Sequence, residues 1–132
     1  MSELGGMWRD LLLLGGAGGL GAMARFGVNL GVQRWLGSSW VWATMLVNLL
    51  GCFLFGFLAV WLSAKVGGSP RAKLIILTGF LGAFTTFSTY AFEVVEQLQG
   101  GQWGGALGNI AAQTLVGIGA VFSGIWLART CS

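Results

Sequence analysis

The sequence contains no histidine, one proline, two cysteines and few charged residues, which make up 8% of its 132 positions. Without histidine, and with four acidic residues in all, it lacks the groups on which most hydrolytic, redox and metal-dependent catalysis relies. Cys52 lies within an apolar run and Cys131 lies next to the C-terminus, a spacing that indicates neither a disulfide framework nor a metal site. The seven basic residues are scattered and form no patch for nucleic acid. We therefore expect neither an enzyme nor a nucleic-acid-binding protein.

Hydrophobic residues, by contrast, make up 55% of the chain, and 24 positions are glycine. A bilayer-spanning helix needs about 20 mostly apolar residues. Four runs of that length are present, at about residues 11–33, 40–64, 73–97 and 106–128. The N-terminus begins with polar and acidic residues, so we interpret the first run as a retained helix rather than a removed signal peptide. The sequence predicts an all-α integral membrane protein, with residues 1–132 forming a single four-helix domain.

Small residues recur every four positions in the first and fourth runs. Gly15 and Gly19 have this spacing in the first run, and Gly104, Gly108 and Ala112 have it around the start of the fourth. Such spacing lets helix backbones approach closely. We expect both faces to pack against another helix.

The third run contains an unusual stretch at residues 78–90, in which hydroxyl side chains alternate with aromatic rings. Gly79 and Gly82 loosen the backbone there, and the β-branched threonines add no strong helical preference. The hydroxyls are those of Thr85, Thr86, Ser88 and Thr89. One interpretation is a helix broken at mid-membrane depth, which is tolerated only where it is buried in protein or lines a polar cavity. The other is a Ser/Thr/Gly-rich packing face.

A few other polar residues lie inside or near the ends of the runs. Arg25 either snorkels to the interface or attracts anions to a vestibule, and Glu93 lies at an interface or vestibule. Asn48 lies near the middle of the second run, where an amide needs a partner. Interhelical hydrogen bonding and the lining of a polar path both explain Asn48, and both also explain Gln113 and Thr114.

Basic residues are biased to one side of the predicted membrane. An even number of spans places both termini on one side, and that side collects Arg9, Lys65, Arg71, Lys73 and Arg129. The positive-inside rule then predicts that both termini are cytoplasmic. We expect a multi-pass protein of the inner or plasma membrane.

The third run closely resembles the hallmark of the small fluoride channels known as Fluc or CrcB proteins. Residues 79–90 read Gly-Phe-Leu-Gly-Ala-Phe-Thr-Thr-Phe-Ser-Thr-Tyr. Further matches are Gly21-Ala22 and Arg25-Phe26 in the first run, and Asn48 with Gly51 in the second. The layout and motif order agree over nearly the whole chain.

The resemblance implies an antiparallel, dual-topology homodimer in membrane lipid, with two narrow pathways for passive fluoride exit from the cytoplasm. It also implies a structural sodium ion at the dimer centre, bound by main-chain carbonyl oxygens at the matching positions Gly82 and Thr85. Glu93 falls where the family often has a vestibule glutamate.

The pore residues implied by the resemblance belong to the second and third runs. An asparagine of the family matches Asn48, and a pair of pore phenylalanines matches Phe87 and Tyr90. Ser88 and Thr89 occupy matching hydroxyl positions. Tyr90 departs from the family's phenylalanine by a phenolic O–H, from which we expect altered conduction rather than a changed substrate.

Two other classes of protein are considered. A small multidrug transporter has a similar size but needs a carboxylate in its first span, and residues 11–33 contain none. A non-transporting accessory membrane protein explains the glycines and aromatic residues as packing alone. Anion flux through purified protein distinguishes the channel from the accessory protein.

Overall fold

The computed structural model of the protein describes residues 2–37, 40–65 and 67–131, and every regular element in this part is helical. The helices are α1 (Ser2–Leu36), α2 (Trp40–Lys65), α3 (residues 70–84), α4 (Phe87–Gln99) and α5 (Trp103–Thr130). Four stretches are long and apolar enough to cross a membrane, with α3 and α4 together forming the third. The predicted all-α architecture with four spanning helices is confirmed. The antiparallel homodimer stays a prediction.

The turns between the helices follow from local sequence. Gly37 ends α1 with a φ of 74°, a left-handed conformation that glycine adopts without a steric cost. Pro70 opens α3, where its missing N–H is not needed, and the Ser69 hydroxyl caps this end by accepting a hydrogen bond from the Ala72 N–H at 3.4 Å. These signals set where α1 ends and where α3 begins.

Two helices contain π-helical segments, at Leu74–Leu81 in α3 and at Ala112–Val116 in α5. A π-helical turn adds a residue and rotates the side chains that follow it relative to an α-helix. The first segment overlaps the start of the third-run motif, and the second includes Gln113 and Thr114. The directions of these side chains therefore depart from ordinary α-helical spacing.

The most extensive interhelical contact is between α2 and the C-terminal part of α5. It depends on two glycines: Gly56 lies against the Val121 carbonyl, and Gly124 lies against the Phe53 carbonyl. A Cβ at either glycine would overlap these backbone atoms. Glycine is required here because the two backbones touch.

A small apolar core joins α1, α2 and α3. Gly21 of α1 lies against the Phe80 carbonyl of α3, so these backbones also meet directly. Val47, Leu81 and Phe84 are buried together, and the Phe80 and Phe84 rings stack with their centroids 6.1 Å apart. This core lies immediately before the point where α3 ends, and so positions that end.

The small-residue faces predicted to pack do not meet a helix of the same chain. A Cβ at Gly15, Gly19, Gly104 or Gly108 would have no neighbouring atom within 4 Å in the described part of the chain. The contact between α1 and α3 uses Gly21 instead, which turns the other face of α1 outward. Packing of these four glycines against a helix of another chain stays a prediction.

One ion pair links the starts of α1 and α3. The Arg71 Nε lies 2.6 Å from the Asp10 Oδ1, and both side chains are partly exposed. An exposed ion pair contributes little stability. The ion pair shows instead that the beginnings of α1 and α3 lie at the same end of the bundle.

Candidate ion pathway

The backbone between α3 and α4 is extended at Thr85 and Thr86. Their φ and ψ angles are −84° and 160° for Thr85 and −148° and 109° for Thr86, whereas Phe84 and Phe87 are helical. Gly51 of α2 lies against the Thr85 Cγ2, and a Cβ at Gly51 would overlap that methyl group. The extended pair is thus held directly against α2. Its depth in a bilayer stays a prediction.

Asn48 joins α2 to this extended pair through its side-chain amide. Its Oδ1 accepts a hydrogen bond from the Thr86 N–H at 2.8 Å, and its Nδ2 donates to the Thr86 carbonyl at 3.1 Å. Thr86 is only 9% exposed, so both of its backbone groups need a partner within the protein. The amide gives the Thr86 N–H the acceptor that a continuous helix would supply. It also adds a second donor to the Thr86 carbonyl, which, as the N-cap of α4, already accepts the first hydrogen bond of that helix.

Two carbonyls at the end of α3 lose the donors that a continuous helix would give them. In an α-helix the Thr86 N–H would donate to the Gly82 carbonyl, but here it donates to Asn48. The Thr89 N–H would donate to the Thr85 carbonyl, but it donates to the Thr86 hydroxyl at 3.2 Å. The carbonyl oxygens of Gly82 and Thr85 are therefore among those that the interruption frees.

Hydroxyl groups cluster at the start of α4. The Thr86 Oγ1 caps this helix and lies 2.8 Å from the Thr89 Oγ1 and 3.4 Å from the Ser88 Oγ. Ser88 and Thr89 are both exposed in the single chain. The three hydroxyls form one polar group beside an N-terminal helix end, which carries a partial positive charge.

A cavity of about 420 Å³ lies beside the extended pair. Its polar and aromatic lining includes Asn48, Thr86, Phe87, Tyr90, Gln113 and Thr114. The rings of Phe87 and Tyr90 meet edge to face, with centroids 5.6 Å apart and planes at 60°. Phe87 is 78% exposed, so the cavity opens on a face that the single chain does not cover.

The amide of Asn48 is also the first of a series of four hydrogen-bonded amides. Its Nδ2 donates to the Gln113 Oε1 at 2.7 Å, and the Gln113 Nε2 donates to the Asn109 Oδ1 at 2.9 Å. The Asn109 Nδ2 then donates to the Gln97 Oε1 at 3.5 Å. All three hydrogen bonds have the same direction, so the amide dipoles align and polarise one another.

Glu93 lies apart from this cavity, and one of its two carboxylate oxygens has a hydrogen-bond partner while the other has none within the described residues. Its Oε1 accepts a hydrogen bond from the Thr44 hydroxyl at 2.6 Å. The side chain is 5% exposed, and its Oε2 has no partner within the described residues. Glu93 lines a second cavity of about 310 Å³ together with Glu96, Gln97 and Gln102.

Arg25 is half-buried on α1 and does not line either of these cavities. Within residues 2–37, 40–65 and 67–131, it forms neither a hydrogen bond nor an ion pair. Its charge is therefore not neutralised by an acidic group of this part of the chain.

Comparison with known proteins identifies the family. The family described as CrcB-like protein, Camphor Resistance (CrcB), matches residues 12–125. The chain belongs to the CrcB-like family. A relative from Dehalococcoides mccartyi, named fluoride-specific ion channel FluC, is 41% identical over 118 residues, which cover 89% of this chain and 91% of the relative. A relative of the same name from Hydrogenovibrio crunogenus is 42% identical over 120 residues, which cover 91% of each chain.

Membership of the CrcB-like family, with four spanning helices, makes this a multi-pass membrane protein. The structure brings Asn48, Phe87 and Tyr90 to one cavity, with Thr85 in its lining as well. Ser88 and Thr89 lie next to the cavity, on the hydroxyl cluster, and do not line it. Their roles in transport stay predictions.

Sequence reasoning did not assign Asn109 and Gln97 to the site. The structure places both in the series of amides that begins at Asn48. The sequence has amide side chains at positions 97, 109 and 113. Positions 109 and 113 are four residues apart, a spacing that indicates one helix face. The pairing with position 97 crosses between helices and has no sequence signal.

Proposed function

We propose that this protein is a fluoride-selective ion channel through which fluoride leaves the cytoplasm by passive electrodiffusion. The observation that carries the proposal is the cavity at the extended pair, where an amide, a hydroxyl and two aromatic rings converge. Relatives at about 40% identity that bear the name fluoride-specific ion channel support it.

The chemistry of the cavity suits a small and strongly hydrated anion. A membrane pathway must replace the water around fluoride with hydrogen-bond donors. Asn48 supplies them in the cavity, and the hydroxyls of Ser88 and Thr89 supply them next to it. The edges of Phe87 and Tyr90 carry the positive rim of the ring quadrupole and can face an anion. The described residues that line the cavity include no lysine or arginine, which favours the weak binding that rapid conduction needs.

Arg25 and Glu93 act in the proposed vestibules rather than in the pore. The charge of Arg25 has no acidic partner in the described residues, so it raises the local potential and attracts anions from a distance. Glu93 lies beyond the Asn48 cavity, hydrogen-bonded to Thr44 at the other cavity. Gln97 and Gln102 line that cavity with Glu93 and offer amide N–H groups to an anion that passes it.

A structural sodium ion fits the two carbonyls freed at the interruption. Gly82 and Thr85 offer main-chain oxygens whose helical donors are engaged elsewhere, by Asn48 and by the Thr86 hydroxyl. Unwound backbone carbonyls are sodium ligands in transport proteins, and they need no acidic side chain. When bound, the ion would supply a fixed positive charge near the pathway.

The functional unit that we propose is an antiparallel, dual-topology homodimer with two pores, in the inner or plasma membrane. Uncovered faces support this: Phe87 is 78% exposed, and the outward Gly15, Gly19, Gly104 and Gly108 offer close helix contact to a second copy. Lipid alone would not need backbone-exposing glycines at helix spacing.

The test is fluoride efflux from liposomes that contain purified protein, with chloride-loaded vesicles measured alongside. Fast fluoride loss with little chloride loss is expected, and Asn48→Asp and Phe87→Ile should weaken it. Asn48→Asp turns a donor into an anion-repelling carboxylate, and Phe87→Ile removes the positive ring edge. Well-folded protein without fluoride flux would instead favour the accessory-protein interpretation, and saturable uptake coupled to another ion would contradict electrodiffusion.

A further inference from the structure

Both N–H groups of the Asn48 side chain are already engaged. One donates to the Thr86 carbonyl at 3.1 Å, and the other donates to the Gln113 Oε1 at 2.7 Å. A side-chain amide has only two such hydrogens. An anion that binds to Asn48 must therefore displace one of these two acceptors.

The two acceptors differ in how easily they move. The Thr86 carbonyl belongs to the backbone and is part of a two-way pair, because the Thr86 N–H also donates to Asn48 at 2.8 Å. Gln113 is a long, flexible side chain that reaches Asn48 from another helix and lines the same cavity. Gln113 is the acceptor that can be displaced without moving the backbone.

We propose that Gln113 competes with the transported anion for the second N–H of Asn48. The inference rests on the function proposed above. When the anion binds, the hydrogen bond from Asn48 to the Gln113 Oε1 breaks, and when the anion leaves, that hydrogen bond forms again. The Asn48 N–H is then never left unpaired in an apolar environment, which would be costly.

Asn109 is the residue that positions the competitor. The Gln113 Nε2 donates to the Asn109 Oδ1 at 2.9 Å, which leaves the Gln113 carbonyl end directed at Asn48. Asn109 is 3% exposed and is held in turn by Gln97 at 3.5 Å. This support keeps the acceptor of Gln113 close to Asn48 while an anion is bound there.

Competition of this kind weakens anion binding and speeds release, which conduction requires. In Gln113→Met the shape is retained and the acceptor is lost. The net value of one hydrogen bond corresponds to about a two- to tenfold change in an equilibrium constant. We therefore expect the half-saturating fluoride concentration to fall about two- to tenfold, and the maximal flux to fall with it because release slows. Ser123→Ala, an exposed polar-to-apolar change on the same helix, is the control and should change neither value.

A spectroscopic measurement reports the exchange directly. The chain has three asparagines, Asn29, Asn48 and Asn109, so 15N-asparagine labelling of the detergent-solubilised protein gives three pairs of side-chain amide signals, one pair for each NH2 group. Sodium fluoride should shift the Asn48 signal in the wild-type protein, and it should do so at a lower concentration in Gln113→Met. Sodium chloride at the same ionic strength is the control for salt.

The outcomes separate the two proposals. Absence of fluoride flux in the wild-type protein would contradict the proposed channel before any variant is compared. Fluoride flux with an Asn48 signal that ignores fluoride would overturn the competition, and so would an unchanged or increased half-saturating concentration in Gln113→Met. Gln113→Ser, whose side chain is too short to reach Asn48, should show the same direction of change and serves if the methionine variant does not fold.

Discussion

The role of Asn48 as a substitute for helical hydrogen bonds leads to a prediction about stability. Asn48→Leu keeps the size of the side chain and removes all three of its hydrogen bonds, two with the Thr86 backbone and one with Gln113. Because Thr86 is 9% exposed, its N–H would remain buried without a partner, whereas its carbonyl keeps the first hydrogen bond of α4. The extended pair that joins α3 to α4 would lose its main attachment to α2.

The magnitude follows from this unpaired group. A buried donor or acceptor left unsatisfied costs about 1–3 kcal/mol, and the Thr86 N–H is the backbone group that is affected. Side-chain hydrogen bonds in membrane proteins average nearer the low end, at about 0.6 kcal/mol with values up to about 1.7. We expect Asn48→Leu to lower the free energy of unfolding by about 1–3 kcal/mol.

The assay is unfolding of the detergent-solubilised protein by increasing amounts of dodecyl sulfate, followed by the fluorescence of its seven tryptophans. Ser63→Ala is the matched control on α2, because the Ser63 hydroxyl is exposed and donates only to the Ala59 carbonyl of its own helix. The control should change the free energy of unfolding by less than about 0.5 kcal/mol. An Asn48→Leu protein as stable as this control would show that Thr86 needs no partner from Asn48.

Three further predictions use the same unfolding assay. Gly124→Ala places a methyl group against a carbonyl of α2 and should lower the free energy of unfolding by about 1–3 kcal/mol. Gly119→Ala is the control, because the space around Gly119 is open and the change should not destabilise the protein. Equal effects of the two variants would contradict the close contact of α2 and α5. Thr86→Val removes the hydroxyl that caps α4 and should lower the free energy of unfolding by about 0.5–2 kcal/mol. Thr86→Ser keeps a capping hydroxyl and should recover most of that stability, and no recovery would contradict a capping role. If the carbonyls of Gly82 and Thr85 bind sodium, exchange of sodium for N-methylglucamine should lower stability, by about 2.7 kcal/mol when sodium had been present at a hundred times its dissociation constant. Equal stability in the two salts would contradict that site.

The architecture was predictable because its signal is local. Length and hydropathy of each run identify a spanning helix without reference to the rest of the chain, and each of the four runs overlaps one of the four spanning stretches of the structure. The hydroxyl and aromatic residues of the third run also stood out in one short stretch. The extended backbone of the structure falls inside that stretch, at Thr85 and Thr86.

The glycine contacts between helices could not be predicted from local sequence. The spacing of Gly15 and Gly19 indicated a packing face, but the contact of α1 with α3 is made at Gly21. Spacing identifies which residues share a helix face, but it does not say which of several small-residue faces meets a neighbour. That choice depends on how each helix is rotated about its axis.

By itself the sequence determined the membrane-spanning runs, the polar residues within them and the family motif, since each of these features can be recognised within a single run. Only the tertiary structure decided which polar groups meet. Asn48 finds Thr86 at a separation of 38 residues and Gln113 at 65. The physical reason is that an unpaired amide in an apolar environment takes the nearest donor or acceptor, and which one is nearest is set by the packing of α2, α4 and α5 together.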